Sequence, residues 1–184
     1  MGTRTLGPGP AYDTRNDLPE AVRVQVIALL NQRLADAIDL DTQTKQAHWN
    51  VKGPNFSALH LLFDAIHESV EGYVDLLAER IVQMGGVAAG TARMAAAHSE
   101  LSEYPAKISG GAEHVSALAA VLAQFGSRVR RGIAQTGTWG DPDSADICTE
   151  ISRGVDKWLW MVEAHGQGRS RTVAPLLQSI EGSA

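Results

Sequence analysis

The sequence predicts an all-α protein that folds as one antiparallel four-helix bundle. Four long segments place apolar residues at three- and four-residue spacing, which is the pattern of a helix with one buried face. No segment alternates convincingly between apolar and polar residues, as a half-exposed strand would. The chain has 184 residues, 44% of them hydrophobic and 20% charged, which suits a single globular domain. Four long helices in one such domain typically pack as a bundle.

The first two predicted helices are delimited by capping residues and glycines. The run Asp17 to Glu20 matches a capping box with a proline in the first turn, and the helix that it opens is expected to reach about Asn50. A second helix is expected to begin at a cap at Asn55 or Ser57 and to end at the double glycine at 85 and 86. Only a tight turn therefore separates these two helices.

The other two long helices follow a loop of about 25 residues, which is long for a compact domain. We expect this loop to contain a short extra helix near Thr91 to His98, and the fourth long helix to run from about Ser144 to His165. The bundle is expected to occupy residues 19–166, between flexible tails at 1–18 and 167–184. The apolar seams are Val115, Leu118, Leu122, Phe125, Val129 and Ile133 in the third helix, and Ile147, Ile151, Val155, Trp158, Leu159 and Val162 in the fourth.

Composition argues against several classes of protein. The longest uninterrupted apolar run, Ala117 to Ala123, is far shorter than the roughly 18 residues that span a bilayer, and the first ten residues lack a signal peptide's apolar stretch. We expect a cytoplasmic protein without a membrane partner, and association with the nucleoid stays open. The single cysteine, Cys148, permits no internal disulfide and no cysteine-based metal site. Any metal would be held by histidines and carboxylates.

One side of the second predicted helix concentrates groups that bind metals. It carries five carboxylates and two histidines, while Arg80, on another face, is the only basic side chain of the helix. This oxygen and imidazole set suits iron, manganese or zinc. The alternative is an acidic, solvent-facing surface with incidental histidines. The metal-binding stripe consists of His60, Asp64, His67, Glu68, Glu71, Asp75 and Glu79.

The spacing within this stripe indicates a site shared between two chains. His60 and Asp64 are four residues apart, as are Asp75 and Glu79, so that each pair can bind one metal. The pairs lie about 16 Å apart at ~1.5 Å per residue, too far for a single site. Two antiparallel copies of the helix, related by a two-fold axis between residues 69 and 70, would bring each pair opposite the other pair of the partner. Such a dimer contains two identical sites.

Two further observations bear on this hypothesis. His48, near the end of the first helix, is placed to add an imidazole, although a histidine at a helix end is more often a cap. The sequence contains no Glu-x-x-His, the pattern of a di-iron site within one bundle. Its absence favours a site between chains.

Several of these residues together resemble the Dps family, the DNA-binding proteins from starved cells, which are mini-ferritins of the ferritin-like superfamily. The resemblance rests on the run Lys45 to Gly53 (KQAHWNVKG), on His60 and Asp64, and on Asp75 through Glu79-Arg80, and it covers about residues 20 to 166. It implies a ferritin-like four-helix bundle and a hollow homododecamer with ferroxidase sites at the two-fold interfaces.

The resemblance also implies a ligand set and a reaction. Members of the family oxidise pairs of Fe(II), preferably with hydrogen peroxide, and store the ferric mineral; zinc or manganese can substitute for iron at the di-iron site. Trp49, next to a ligand, and His67, on the stripe, are candidates for an outer layer of the site, with core packing as the alternative for Trp49. The implied ligands are His48, His60 and Asp64 of one subunit with Asp75 and Glu79 of its partner.

Acidic residues at the start of the fourth helix suggest a route for iron. The family lines three-fold pores with carboxylates near this position, which implies that Asp141, Asp146 and Glu150 form a negative funnel for Fe(II). Acidic residues there are also a normal response to the helix dipole, and Asp143 is the expected cap.

The remaining signals are weaker. Residues 1–18 contain two arginines, two aspartates and no lysine, and the net charge is −5, so we expect only weak DNA binding. A nucleoid-associated protein that compacts DNA, with metal binding secondary, is the alternative function, and a structural bundle with metals at its interfaces is a third. His98 and His114 lack ligand-like neighbours and are expected at the surface or in loops.

Overall fold

The protein is described by a computed structural model that covers residues 11–167. This part of the chain contains no β-strand, only an isolated bridge between Lys52 and Gly110. The all-α prediction is confirmed, as is the short extra helix in the long loop. The helices are α1 (Glu20–Asn50), α2 (Phe56–Gln83), α3 (Ala92–His98), α4 (Gly111–Thr138) and α5 (Pro142–Gln167).

The four long helices pack in pairs to form the bundle. α1 packs along α2 and α4 packs along α5, while α1 against α4 and α2 against α5 close the structure. Among the residues described, no helix is both long and apolar enough to cross a membrane. The tails predicted at 1–18 and 167–184 fall mostly outside the described range and stay predictions.

Buried apolar side chains from all four long helices form one core. The predicted seams are confirmed in α4 and α5, since all of their residues are buried or packed against the core. One close approach depends on a glycine, because a Cβ added at Gly154 in α5 would lie 1.9 Å from Tyr73 Oη in α2. The largest fully buried side chains include Leu30, Leu34, Leu40, Phe63, Ile66, Leu77, Ile81, Leu118, Leu122 and Phe125.

The observed helix ends agree with the predicted ones only in part. The capping box predicted at Asp17 does not form, because α1 begins after Pro19 without a side-chain cap and Asn16 Oδ1 instead accepts from the Leu18 N–H at 3.0 Å. The predicted stop after α2 is confirmed, since Gly85 adopts a φ of +81° that favours glycine. Thr91 Oγ1 caps α3 by accepting from the Met94 N–H at 3.3 Å.

A buried ion pair joins α2 to the start of α5. Arg80 Nη2 donates to Asp141 Oδ1 at 2.8 Å, and Arg80 Nε donates to Ser144 Oγ at 2.9 Å. Asp141 also caps α5, because its Oδ1 accepts from the Ser144 N–H at 3.1 Å. α5 therefore begins at Pro142, two residues earlier than predicted, and the expected cap at Asp143 is wrong.

Replacing Asp141 with alanine should destabilise the protein strongly. The substitution D141A removes the cap and leaves the Arg80 guanidinium buried without its partner, so the free energy of unfolding should fall by about 3–5 kcal/mol. The matched control is D143A, since the Asp143 side chain is 77% exposed and lies 3.7 Å from Arg80. It should cost less than about 1 kcal/mol. Urea unfolding followed by circular dichroism measures both, and equal losses would contradict a structural role for the pair.

Candidate metal centre

Two histidines lock the end of α1 to the start of α2. His48 Nδ1 lies 2.9 Å from the His60 carbonyl oxygen, and His60 Nδ1 lies 2.9 Å from the His48 carbonyl oxygen. The two rings stack with their centroids 3.7 Å apart. Because a carbonyl oxygen only accepts, each Nδ1 carries a proton, and in the neutral ring Nε2 then keeps its lone pair. Metal-binding histidines are typically oriented in this way, with the second ring nitrogen donating to a carbonyl or carboxylate.

The connection between the helices sets this arrangement. Gly53 adopts a φ of +108°, a conformation open to glycine, and allows the chain to reverse within residues 51–55. The Lys52 N–H donates to the Ser109 carbonyl at 2.9 Å, which ties the turn to the segment before α4. The turn therefore holds the two histidine-bearing helix ends side by side.

Asp64 lies one turn after His60 and is paired with a lysine of α1. Lys45 Nζ donates to Asp64 Oδ1 at 2.8 Å, and His48 Nδ1 is 3.7 Å from the same oxygen. The hydrogen bond from Lys45 holds the pKa of the Asp64 carboxyl below its usual value, so that the group is ionised. The Asp64 side chain is 39% exposed and therefore accessible to a metal ion.

Asp75 and Glu79 lie further along α2, where both are exposed. The part of the chain that the structure describes holds no cluster of three or more histidine, cysteine or acidic side chains able to bind a metal. Of the predicted ligands, His48 contacts both His60 and Asp64, and no contact recorded within the described residues joins these three to Asp75 or Glu79. A site shared between chains stays a prediction.

His67, the outer-layer candidate on the stripe, is paired with an acidic residue of α1. Its Nδ1 lies 2.5 Å from Asp41 Oδ1, and its Nε2 is 3.7 Å from Glu71 Oε1. Burial raises the pKa of the Asp41 carboxyl, and the charge of His67 opposes that shift. Asp41 was missed in the sequence because nothing in the pattern of α1 indicates which residue of α2 it contacts.

Trp49 lies on the surface beside this pair. Its side chain is 66% exposed, so core packing as an alternative role is wrong. Lys45 Nζ is 6.0 Å from the centroid of the Trp49 ring. Trp49, Lys45, Asp41, His67 and Tyr104 all line one open groove of about 600 Å³ between α1 and its neighbours.

Sequence reasoning also missed Lys45 as a neighbour of the site. The signal was present, because Lys45 precedes His48 by three residues and so shares its face of α1. In the sequence analysis, Lys45 was named only as the first residue of the KQAHWNVKG motif, on which the family resemblance rests.

Asp141 is not placed as the predicted funnel requires. It is 1% exposed and bonded to Arg80 and Ser144, so it does not line an open surface of the subunit. Asp146 and Glu150, one turn apart on α5, are exposed as a funnel requires.

His114 is also placed differently from the expectation. It is buried, and its Nδ1 lies 2.6 Å from Tyr104 Oη. The missed signal was its spacing, since His114 precedes Leu118 by four residues and therefore continues the apolar seam of α4.

The fold and the histidine-bearing helix pair are those of a ferritin-like protein, and the ferritin-like domain family matches residues 27–169. The chain is 42% identical to the DNA protection during starvation protein of Agrobacterium fabrum over 86% of this chain and 98% of that protein. It therefore belongs to the Dps family of mini-ferritins.

Solved structures of relatives agree with this assignment. DpsC from Streptomyces coelicolor superposes with a TM-score of 0.82 at 26% identity, over 94% of this chain and 98% of that chain. The tetragonal form of Dps from Mycobacterium smegmatis gives a TM-score of 0.80 at 30% identity, over 84% of this chain and 94% of that chain.

The contact between Lys45 and Asp64 should appear in the pH dependence of stability. Because the pKa of Asp64 is lowered in the folded protein, the ionised carboxylate adds to the free energy of unfolding at pH values above its unfolded-state pKa. This stabilisation is lost as the pH falls through the folded-state pKa. The variant K45M should therefore be less stable than the wild type near neutral pH, and the difference should vanish in the acid range.

Denaturant unfolding at a series of pH values measures this difference. The control is K107M, because Lys107 is exposed and makes no ion pair with the residues that the structure describes. A constant difference between wild type and K45M down to the lowest pH would show that the ion pair does not hold the pKa of Asp64 down.

Proposed function

We propose that the protein is a ferroxidase and iron-storage cage. It oxidises Fe(II), preferably with hydrogen peroxide, and stores the ferric mineral, and thereby protects DNA and the cell from oxidative damage. The observation that supports this most directly is the reciprocal bonding of His48 and His60, which engages each Nδ1 and leaves each Nε2 free of the two carbonyls, with the ionised Asp64 carboxylate 3.7 Å from the His48 ring. Membership of the ferritin-like family agrees with it.

The complete site forms between two subunits of a homododecamer. His48, His60 and Asp64 of one subunit face Asp75 and Glu79 of the partner subunit across a two-fold axis, and together they bind a pair of iron ions, with zinc or manganese as substitutes. The spacing of the two groups along α2 supports this arrangement, because neither group alone has enough ligands for two metal ions.

The ligand set favours the oxidation of iron. Carboxylates bind the harder Fe(III) more strongly than Fe(II), so acidic ligands favour the loss of an electron from each ion. Two Fe(II), one hydrogen peroxide and two protons give two Fe(III) and two waters. Since the two electrons come from neighbouring ions, peroxide is reduced without release of a hydroxyl radical. Trp49 and His67 lie in the outer layer of this site.

Iron reaches the cage through a negative pore at the three-fold axis. Asp146 and Glu150 provide its exposed carboxylates, and Asp141 supports them from inside the subunit as the cap of α5. The proposed location of the cage is the cytoplasm, with no membrane partner.

A second function is favoured by the name that relatives carry, DNA protection during starvation protein. In this alternative the protein is nucleoid-associated, binds and compacts DNA, and holds metal only secondarily. With a net charge of −5, the chain should bind DNA weakly at physiological salt.

Removing two ligands should abolish the fast reaction with peroxide. In an anaerobic mixture of Fe(II) and protein, stoichiometric peroxide should produce ferric absorbance at least about tenfold more slowly in the double variant H60A/D64A than in the wild type. The control is E163A/H165A, which likewise removes one histidine and one carboxylate, but from exposed positions on α5. An unchanged rate in H60A/D64A would refute the proposed site.

Mixed assemblies test whether two chains share each site. H60A and E79A should each be inactive as pure assemblies. When equal amounts of the two variants assemble together at random, half of the two-fold pairs contain one chain of each kind. Each such pair has one intact site of two. About a quarter of wild-type activity should therefore return.

A site contained in one chain predicts a different result. Every chain in the mixture then lacks one ligand, so activity would stay at the level of the pure variants. Native mass spectrometry of the mixture verifies that the two variants have assembled together.

A further inference from the structure

A basic groove lies between α1 and α4, remote from the candidate metal centre. Its α1 residue Arg33 precedes His48 by 15 residues, which at ~1.5 Å per residue separates them by about 22 Å along the helix. The groove has a volume of about 440 Å³. Arg33, Arg128 and Arg131 line it, with the exposed amides of Gln25 and Gln135 at its rim.

Arg33 lies at the floor of the groove with an unused donor. Its side chain is only 9% exposed, and its Nη2 lies 3.0 Å from Asp36 Oδ2 and 3.4 Å from Glu100 Oε2. Its Nε is buried and has no hydrogen-bond partner among the residues described. Asp36 Oδ2 beside it likewise has no hydrogen bond among the residues described, so the floor of the groove holds unpaired polar atoms, which are rare in folded proteins.

Arg128 and Arg131 of α4 add two more guanidinium groups. Arg128 Nε is likewise buried without a hydrogen bond, although it lies 3.4 Å from Glu100 Oε2. Arg131 is exposed, donates to Ser127 Oγ at 3.2 Å and has no carboxylate within 4.0 Å in the described part of the chain. One guanidinium thus stays without an opposite charge.

The charges of the groove do not balance. Three arginines face two carboxylates, Asp36 and Glu100, which leaves an excess of one positive charge. Burial lowers the pKa of Arg33, the charges of Asp36 and Glu100 oppose that shift, and the charges of the neighbouring Arg128 and Arg131 add to it. The repulsion between these groups would be relieved by an anion that also accepts hydrogen bonds.

We propose that this groove is a binding site for inorganic phosphate. A tetrahedral oxyanion presents several acceptors at once, which matches the guanidinium donors that Arg33, Arg128 and Arg131 bring to one groove. The excess of one positive charge can be neutralised by a single compact anion but not by the row of phosphates along a nucleic acid. The compact anion is therefore favoured over a duplex.

Calorimetric titration of phosphate into the metal-free, full-length protein at constant ionic strength tests the proposal. The wild type should bind phosphate saturably, and R131Q should bind it at least about tenfold more weakly, because one charged hydrogen bond is lost. The matched control is R130Q, since Arg130 is the preceding residue of α4 and pairs with Asp156 at 2.7 Å instead of facing the groove. Its affinity for phosphate should stay within twofold of the wild type.

Three results would overturn the proposal. The first is the absence of saturable binding at millimolar phosphate in the wild type. The second is an equal loss in R131Q and R130Q, which would indicate only general surface charge. The third is binding of a DNA duplex that weakens in R131Q while free phosphate neither binds nor competes. Circular dichroism and the size of the assembly verify that R131Q is folded.

Discussion

The exchange of hydrogen bonds between His48 and His60 is the constraint on which the rest of the candidate site depends. The Lys52 N–H would normally continue α1 by donating to the His48 carbonyl, but it donates to Ser109 instead. The His60 ring takes over that carbonyl, so the last turn of α1 is satisfied by a side chain of α2. The His48 ring in turn donates to the His60 carbonyl oxygen, which can accept a second hydrogen bond because it has two lone pairs. The bonding that ends one helix therefore also sets the tautomer of both imidazoles.

Charge is distributed unevenly along the acidic stripe of α2. In its first half, α1 supplies partners, since Lys45 contacts Asp64 and Asp41 contacts His67. In its second half, Asp75 and Glu79 form no ion pair with any residue that the structure describes. The subunit thus balances one end of the stripe and leaves the other acidic. The antiparallel pairing proposed for two subunits joins an imidazole-rich end to an acidic end, which is the combination that a divalent cation needs.

Periodicity was enough to predict the helices and the core, because burial of one face imposes a repeat along the chain. Helix geometry was likewise enough to divide His60, Asp64, Asp75 and Glu79 into two pairs that lie too far apart for one site. The partners of buried polar groups could not be predicted in this way. Arg80 was placed on another face of α2, but nothing in the local sequence indicates that it reaches Asp141, 61 residues later. His114 was missed for a related reason, since a polar residue in an apolar seam needs a partner, here Tyr104, that only the folded chain supplies.

The position of Asp141 clarifies how the proposed pore could keep its negative charge. The first turn of α5 carries the partial positive charge of a helix N-terminus, which would weaken a funnel for Fe(II). Asp141 satisfies one donor of that turn by accepting from the Ser144 N–H, and it balances the positive charge of Arg80 inside the subunit. Asp146 and Glu150 are exposed and form no ion pair with the residues that the structure describes. A buried aspartate can in this way preserve the field of the two carboxylates proposed to line the pore.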